Sequence, residues 1–186
     1  MLLQFTHRPS PLGAMLLAWD EGRQLRALEF VDCEARLMGL LRRQYGSYEL
    51  CSASPPMAIV DPLDAYFAGA IGNLDEITVA TGGTEFQRQV WAALRTIGPG
   101  ETTSFGQLAQ RLGRPAASRA VGLANGANPV AIVVPCHRVI GANGALTGYG
   151  GGLGRKQWLL DHERRFAGRG RSPQYRPGTN RDVRVQ

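Results

Sequence analysis

The sequence is poor in the residues that build disulfide frameworks and metal sites. Only three of its 186 residues are cysteine and only three are histidine. The cysteines, at positions 33, 51 and 136, are odd in number and form no C-x-x-C pair, so we expect neither a disulfide scaffold nor a metal site. The chain also lacks an apolar run of about 18 residues, which predicts no transmembrane helix and no membrane partner.

The overall composition is that of a globular protein. Hydrophobic residues make up 44% of the chain and charged residues 19%, and a chain of this length suits one or two compact domains. Residues 1–8 do not have the layout of a secretory signal peptide. We therefore expect a cytoplasmic protein.

The charge is divided unevenly along the chain. Residues 1–80 carry six Arg and ten Asp or Glu, a net charge of −4, whereas residues 81–186 carry fourteen Arg, one Lys and five Asp or Glu, a net charge of +10. Such asymmetry favours a polyanion as the partner of the second half. An arginine-rich surface without such a partner would show the same charge.

The first 80 residues predict a small α/β domain. Short apolar runs at 2–6, 14–19 and 25–31 are separated by turn residues, which favours strands of an antiparallel meander. Residues 33–45 have leucines at helical spacing, and a second helix is predicted to start at Pro62, because proline is favoured in the first turn of a helix.

Residues 84–166 predict a mainly helical domain after a glycine-containing linker at 81–83. Thr84 and Ser104 are expected to cap two helices, the second ending near residue 112, and a Gly-Arg-Pro turn leads to a third helix at 116–125. Two short helices joined by such a turn are typical of a helix-turn-helix. A glycine-rich stretch at 141–154 and a closing helix at 155–165 follow, and residues 167–186 predict a basic, disordered tail.

One cysteine lies in a setting that suits nucleophilic chemistry. An apolar run at 131–134 leads into Pro135-Cys136-His137-Arg138. The thiolate is the reactive form of cysteine, and the neighbouring imidazole and basic surroundings are expected to favour it. The adjacency alone also fits an inert cysteine packed in a core.

The residues around this cysteine resemble the signature of the O6-methylguanine-DNA methyltransferase family. The signature is carried by Pro135-Cys136-His137-Arg138-Val139-Ile140 and by residues 144–152, which contain Tyr149-Gly150-Gly151. The resemblance covers residues 84–163 densely, whereas the first half is similar only in pattern, including Tyr66-Phe67-Ala68-Gly69. Other matching motifs are Phe86-Gln87-Arg88-Gln89-Val90-Trp91, Gly106-Gln107-Leu108-Ala109, Arg119-Ala120-Val121-Gly122, Asn128-Pro129, Lys156, Leu159-Leu160 and Glu163.

The resemblance implies a fold and a reaction. The fold would be an α/β N-terminal domain, with a small antiparallel sheet and helices in a ribonuclease H-like arrangement, followed by a mainly α, winged-helix-like helix-turn-helix domain. The reaction would be the irreversible, stoichiometric transfer of an alkyl group from O6-alkylguanine in double-stranded DNA to Cys136, after the base is flipped out of the duplex. No cofactor is implied, and O4-alkylthymine stays open as a second substrate.

The resemblance also implies roles for individual residues. Cys136 would be the nucleophile, His137 its base through a water, Glu163 the partner of the His137 ring that favours its protonated form, and Asn128 a tie between the helix-turn-helix and the cysteine turn. Arg119 would enter the base stack from a helix in the minor groove. The other expected DNA contacts are Ser104, Phe105, Ala120, Gly122 and Asn125, and the expected base pocket is Val139, Tyr149, Gly150 and Gly151.

Three departures from relatives shape further expectations. Phe105 stands where many relatives have Tyr, so the ring is kept but a proton donor is lost. Gly150 stands where some relatives have Ser, and we expect little effect of this difference. Zinc ligands seen near the N-terminus of some relatives are not apparent, so we predict no structural zinc. We expect a monomer, with self-association on DNA left open.

Three other functions fit parts of the pattern. A non-catalytic protein that binds alkylated DNA would not need Cys136. A helix-turn-helix regulator would need several base-reading side chains on the recognition helix, whereas residues 116–125 offer only Arg119 and Asn125. A Cys-His hydrolase would need an oxyanion hole and multiple turnovers.

Overall fold

The computed structural model of the chain describes residues 1–167. The tail expected at 167–186 therefore lies outside the described residues, except for Ala167, which ends the last helix. Below, the N-terminal half means residues 1–80 and the C-terminal half means residues 81–167.

The N-terminal half contains a four-stranded mixed sheet. Its strands are β1 (Leu2–Arg8), β2 (Met15–Trp19), β3 (Leu25–Phe30) and β4 (Glu49–Ser52), in the order β3-β2-β1-β4. The first three strands form the expected antiparallel meander, but β4 pairs parallel to β1, so the expectation of a purely antiparallel sheet was wrong. A helix lies between β3 and β4, and such a crossover brings the chain back in the parallel direction.

Helices cover both faces of this sheet. Helix α1 (Glu34–Tyr45) packs its leucines on one face, against Leu16 and Ala27. The other face, which includes Leu17 and Phe30, belongs to the main core together with α2 (Met57–Phe67). The strands are therefore apolar on both sides, which explains why they appear in the sequence as continuous runs.

Helix α2 begins five residues earlier than the proline rule predicted. Pro56 is extended and precedes the helix, and its carbonyl accepts hydrogen bonds from the backbone N–H groups of Ile59 and Val60. Pro62 thus lies inside the helix rather than at its start. The proline pair at 55–56 was the stronger start signal.

The C-terminal half is built from helices whose starts are capped. Thr84 and Ser104 each form a complete capping box with a glutamine three residues later, at the starts of α3 (Glu85–Leu94) and α4 (Phe105–Arg111). Helix α5 (Ser118–Gly126) follows a 3₁₀ turn, Pro115–Ala117, so the first turn of the helix predicted at 116–125 is not α-helical. Helices α4 and α5 pack together as a helix-turn-helix.

Two short strands and a final helix complete the fold. Strands β5 (Thr103–Ser104) and β6 (Val139–Ile140) pair in parallel, and α6 (Leu153–Ala167) closes the described chain. None of the helices in residues 1–167 has the length and apolar content needed to cross a bilayer.

The two halves share one hydrophobic core and a backbone joint. The Leu28 N–H donates to the carbonyl of Pro129 at 2.9 Å, and the Leu28 carbonyl accepts from the N–H of Ala131 at 2.8 Å. These two hydrogen bonds connect the apolar run before Cys136 to β3. This joint places the cysteine turn against the sheet of the N-terminal half.

Candidate active site

Cys136 lies in a tight turn that is held from within. It starts a 3₁₀ turn, Cys136–Arg138, directly before β6, and is 6% exposed. The Asn128 side chain closes the preceding loop, since its amide nitrogen donates to the carbonyl of Val134 at 2.8 Å and its oxygen accepts from the N–H of Val130 at 3.0 Å. These bonds fix the chain between the end of α5 and the cysteine.

The same loop contains a strained residue. Ile132 has φ +69°, in the left-handed region that β-branched residues avoid. Such a conformation costs on the order of 1–3 kcal/mol and persists only where the surroundings enforce it. Here Ala131 is bonded to Leu28 before it and Val134 is bonded to Asn128 after it, and these bonds hold the loop in place.

His137 and Glu163 form a buried pair behind the cysteine. The Nε2 atom of His137 lies 2.8 Å from Oε1 of Glu163, and neither side chain is exposed. Because an ionised carboxylate only accepts, the ring donates through Nε2–H. The other ring nitrogen, Nδ1, is buried and has no hydrogen-bond partner among residues 1–167. A neutral His137 thus presents a free lone pair.

Glu163 accepts hydrogen bonds from three further groups. The Arg138 guanidinium donates from Nη2 to Oε1 at 2.9 Å and from Nε to Oε2 at 3.0 Å. The Gly100 N–H donates to Oε2 at 3.0 Å, and the Tyr66 hydroxyl donates to Oε1 at 3.0 Å. The carboxylate therefore has a full positive charge and several dipoles directed at it.

Burial and these contacts set the protonation of the pair. Burial by itself would raise the pKa of Glu163, but the hydrogen bonds from His137 and Arg138 hold that pKa well below its usual range. Burial lowers the pKa of His137, and the contact with Glu163 only partly offsets this. The pair therefore rests as a carboxylate and a neutral imidazole. Glu163 does raise the pKa of His137, as expected of the partner that favours the protonated ring, but burial outweighs this contribution.

The surroundings of Cys136 favour the thiol rather than the thiolate. Burial raises the pKa of Cys136, although a hydrogen bond with Asn128 and the charges of Arg36 and Lys156 oppose the rise. The basic surroundings thus act in the expected direction, but desolvation outweighs the nearby cations. A reaction at this sulfur needs a group that removes its proton.

A small cavity opens beside Cys136. Its free volume is about 10 Å³, roughly the space needed for one water molecule. Tyr149, Gly150 and Gly151 line it as expected, and the Tyr149 hydroxyl is buried with no partner among the described residues. Val139 does not line it; it is fully buried, and its carbonyl accepts from Nζ of Lys156 at 2.6 Å. The other lining residues are Glu29, Arg36, Asn125, Gly126, Asn128, Ala131 and Gly148.

Two charged residues of the N-terminal half form part of this wall. Glu29 on β3 is almost fully buried and forms an ion pair with Nη1 of Arg36 from α1. The second terminal nitrogen of Arg36 donates to the carbonyl of Gly126, at the end of α5, at 2.6 Å. The Arg36 side chain is partly exposed. It therefore lies between the cavity and solvent and connects α1 to the helix-turn-helix.

The structure separates the expected DNA-contacting residues into two groups. Arg119 and Ala120 are exposed near the start of α5, whereas Ser104 and Phe105 are half-buried, with the Phe105 ring packed against Gly122. Asn125 differs from our expectation of a DNA contact, since it is only 3% exposed and lines the cysteine cavity instead. Its position on α5 turns it toward Cys136.

Leu123 is a feature of α5 that the sequence analysis missed. Its side chain is 72% exposed, and it lies one helical turn after Arg119 on the same face. The sequence pattern gave it no role, because a leucine in an amphipathic helix is usually a core residue.

Glu29, Arg36, Tyr66 and Arg138 were also not assigned to the site from the sequence. Glu29 gave a signal of its own, as a charged residue inside the apolar strand Leu25–Phe30. Tyr66 and Arg138 stand in motifs that resemble the family, but their contacts with Glu163 are visible only in the structure. Nothing in the sequence marks Arg36. Within the described residues, no cluster of three or more His, Cys, Asp or Glu side chains is arranged to hold a metal ion.

Comparisons with known proteins point to one family. A family model described as the DNA-binding domain of 6-O-methylguanine DNA methyltransferase matches residues 85–165. The chain is 53% identical over 156 residues to a methylated-DNA–protein-cysteine methyltransferase from Shigella flexneri, covering 83% of this chain and 91% of the relative. It is 54% identical, with the same coverage, to the protein of that name from Salmonella typhimurium.

A solved structure shows the same fold over most of the chain. The crystal structure of OGT from Mycobacterium tuberculosis in complex with DNA matches with a TM-score of 0.71 and 42% sequence identity. The match covers 89% of this chain and 94% of that one. Both halves of the chain are therefore included in the likeness.

Proposed function

As a member of the methylated-DNA–protein-cysteine methyltransferase family, the chain repairs alkylated DNA by taking the alkyl group onto one of its own cysteines, and we propose that this cysteine is Cys136. One observation carries the proposal: Cys136 alone among the three cysteines lines a cavity next to a buried His–Glu pair. Cys51 is exposed on β4, and Cys33 is half-buried beside the Gly150 carbonyl.

The geometry supports a specific path for the thiol proton. Glu163 accepts from Nε2–H of His137, which leaves the Nδ1 lone pair free to take the proton of Cys136 through a water. The thiolate attacks the alkyl carbon, the S–C bond forms and the C–O6 bond breaks, with the electron pair left on O6 of guanine. The proton held by His137 returns to the guanine. The thioether is stable, so each molecule acts once.

The small cavity requires the alkylated base to come to the sulfur. A base inside the duplex is out of reach, so we propose that it is flipped out, at a cost of a few kcal/mol. Arg119, exposed on α5, would fill the gap in the stack, and Ser104, Phe105, Ala120 and Gly122 would lie along the same DNA surface. Tyr149, Gly150 and Gly151 would contact the base, with Val139 behind them rather than at the cavity wall.

The finer fold and organisation belong to the same proposal. The order β3-β2-β1-β4, with β4 parallel to β1, supports a ribonuclease H-like arrangement for a domain at 1–80. The β5–β6 pair beside α4 and α5 supports a winged-helix-like domain at 84–166. We further propose a cofactor-independent monomer that acts where cellular DNA lies, in the cytoplasm.

Mass mapping of the reacted protein tests the assignment of Cys136. The protein is incubated with duplex DNA containing O6-methylguanine with an isotopically labelled methyl group, then digested. We expect one labelled methyl group, on the peptide containing Cys136, and none in Cys136→Ser. Cys33→Ser and Cys51→Ser are matched controls that should react like the parent. Label on another cysteine, or demethylation by Cys136→Ser at the parent rate, would refute the proposal.

A further inference from the structure

One group around the catalytic pair comes from the other half of the molecule. His137, Arg138 and Gly100, which contact Glu163, all lie in the C-terminal half, whereas Tyr66 lies on α2 of the N-terminal half. The Tyr66 side chain is fully buried, and its hydroxyl lies 3.0 Å from Oε1 of Glu163. This oxygen is the same one that contacts the His137 ring.

Helix α6 holds Tyr66 at two points. Nε2 of His162 donates to the backbone carbonyl of Tyr66 at 2.8 Å, and the neighbouring residue Glu163 accepts from its hydroxyl. The rings of Tyr66 and His162 are also in edge contact, with centroids 5.2 Å apart. Two adjacent residues of α6 thus fix both the backbone and the side chain of one residue of α2. The position of the tyrosine hydroxyl relative to Glu163 is therefore tightly defined.

The hydroxyl of Tyr66 always acts as the donor. Burial, reinforced by the nearby charge of Glu163, raises the pKa of Tyr66 well above its ordinary value. It therefore keeps its proton at every pH at which the protein works, and Glu163 as a carboxylate only accepts. The hydrogen bond from Tyr66 therefore reduces the negative charge on Oε1, the oxygen that accepts from the His137 ring.

We propose that Tyr66 is a positioning residue for alkyl transfer, whose hydroxyl holds the Glu163 carboxylate toward His137 and sets how readily His137 accepts the thiol proton. The inference rests on the proposed role of His137 as the base. When His137 takes a proton, its bond to Glu163 becomes charge-assisted and stronger. The Tyr66 hydroxyl donates to the same oxygen, Oε1, and so reduces the extra strength that this bond gains on protonation. Tyr66 therefore makes His137 a weaker base.

The other ionisable groups near His137 all belong to the C-terminal half. They act on the ring from the cysteine turn, from α6 and from the glycine-rich loop. These groups are Cys136 and Arg138 on its own turn, Lys156 on α6, and Tyr149 on the loop, whose ring is 6.5 Å from the imidazole.

Two substitutions at Tyr66 change the donor in opposite directions. Tyr66→Phe removes the hydroxyl and keeps the ring, whereas 3-fluorotyrosine, placed at this position by codon suppression, is a stronger donor of similar size. The rate of single-turnover methyl transfer from O6-methylguanine duplex is measured across pH 5 to 8 for each protein. The midpoint of its acid limb, where His137 loses its proton, is the quantity compared. Titration of the His137 ring followed by NMR gives the same midpoint directly.

We expect the midpoint to move up in Tyr66→Phe by roughly half a pH unit, a fraction of what a hydrogen bond to a charged group is worth, and to move down with 3-fluorotyrosine. If Tyr66 had only a structural role, the two substitutions would not shift the midpoint in opposite directions. Tyr48→Phe, which removes a hydroxyl near Met38 and away from the site, should leave the midpoint in place. Profiles that superimpose on the parent, or shifts of the same sign, overturn the inference.

The design remains decisive if one variant fails. If Tyr66→Phe does not fold, the fluorinated protein, which keeps the hydroxyl, still tests the direction of the shift. His137→Gln separates this inference from the proposed function. If it reacts like the parent, the assignment of the base is wrong. If it loses the acid limb while the Tyr66 variants leave the limb unmoved, only the role of Tyr66 is wrong.

Discussion

Substitution of Gly150 by alanine tests how the cysteine cavity is closed. A Cβ atom at this position would overlap the Arg36 guanidinium carbon and lie 2.7 Å from its Nε and Nη1 atoms. Side-chain contacts this short do not occur in folded proteins, so either the glycine-rich loop or Arg36 must move. The arginine is the more mobile of the two, because its side chain is partly exposed.

Moving Arg36 removes two hydrogen bonds. Its guanidinium pairs with the buried carboxylate of Glu29 and donates to the carbonyl of Gly126 at 2.6 Å. Hydrogen bonds to charged groups contribute about 1.5–3 kcal/mol each. Rehydration of the arginine offsets part of the loss, and burial, which already raises the pKa of Glu29, eases its protonation. We therefore expect Gly150→Ala to lower the free energy of unfolding by about 2 kcal/mol.

A double-mutant cycle isolates this contact. Urea unfolding is measured for Gly150→Ala, Arg36→Ala and the double variant. In the Arg36→Ala background, Gly150→Ala should change the free energy of unfolding by close to nothing. Gly154→Ala is a matched control in α6, where a Cβ atom meets nothing within 4 Å; it should be neutral or stabilise by up to about 1 kcal/mol. An equal loss from Gly150→Ala with and without Arg36 would refute this view, whereas no loss in either background would support the expectation of little effect at position 150.

Three further outcomes follow from the buried charges and the pocket. Glu163→Gln should lower the unfolding free energy in urea by about 3–5 kcal/mol, because it leaves the Arg138 cation buried without its counter-charge, whereas Asp161→Asn on the exposed side of α6 should cost less than about 1 kcal/mol. Because burial lowers the pKa of His137, the unfolded chain binds this proton first, so stability should fall as the pH drops below about 6.5, by up to about 1.4 kcal/mol per pH unit; His137→Gln should remove this slope. Phe105→Tyr should keep or raise the repair rate measured by rapid quench, because the ring stays and a proton donor is gained; a large loss would contradict this.

Signals within a few residues predicted the helices of the C-terminal half. The capping boxes begun by Thr84 and Ser104 depend on a partner only three residues away, so the sequence contains the whole motif. Strand β4 was missed because it is four residues long and mostly exposed, so it has no apolar alternation. Its place is decided by pairing with β1, which is a tertiary contact.

The site divides in the same way. The adjacency of Cys136 and His137 is visible in the sequence, and the resemblance pointed to Glu163. Tyr66 meets Glu163 across 97 positions of the chain, and Arg36 meets Gly126 across 90. No spacing rule covers such distances. These contacts arise because β3 is joined to the loop before Cys136 and brings the N-terminal half against the site.

The cysteine cavity is closed in this structure. Cys136 is almost fully buried, burial raises its pKa, and the cavity beside it has room for about one water. A thiol in this state is a poor nucleophile. A purine ring does not fit this volume, so the proposed reaction requires the wall to move. Most of the wall is core or backbone fixed by hydrogen bonds, whereas Arg36 and the loop around Gly150 face solvent. Opening at that side would leave in place the bond between His137 and Glu163 and the bond from Asn128 to Val134, because neither involves Arg36 or Gly150.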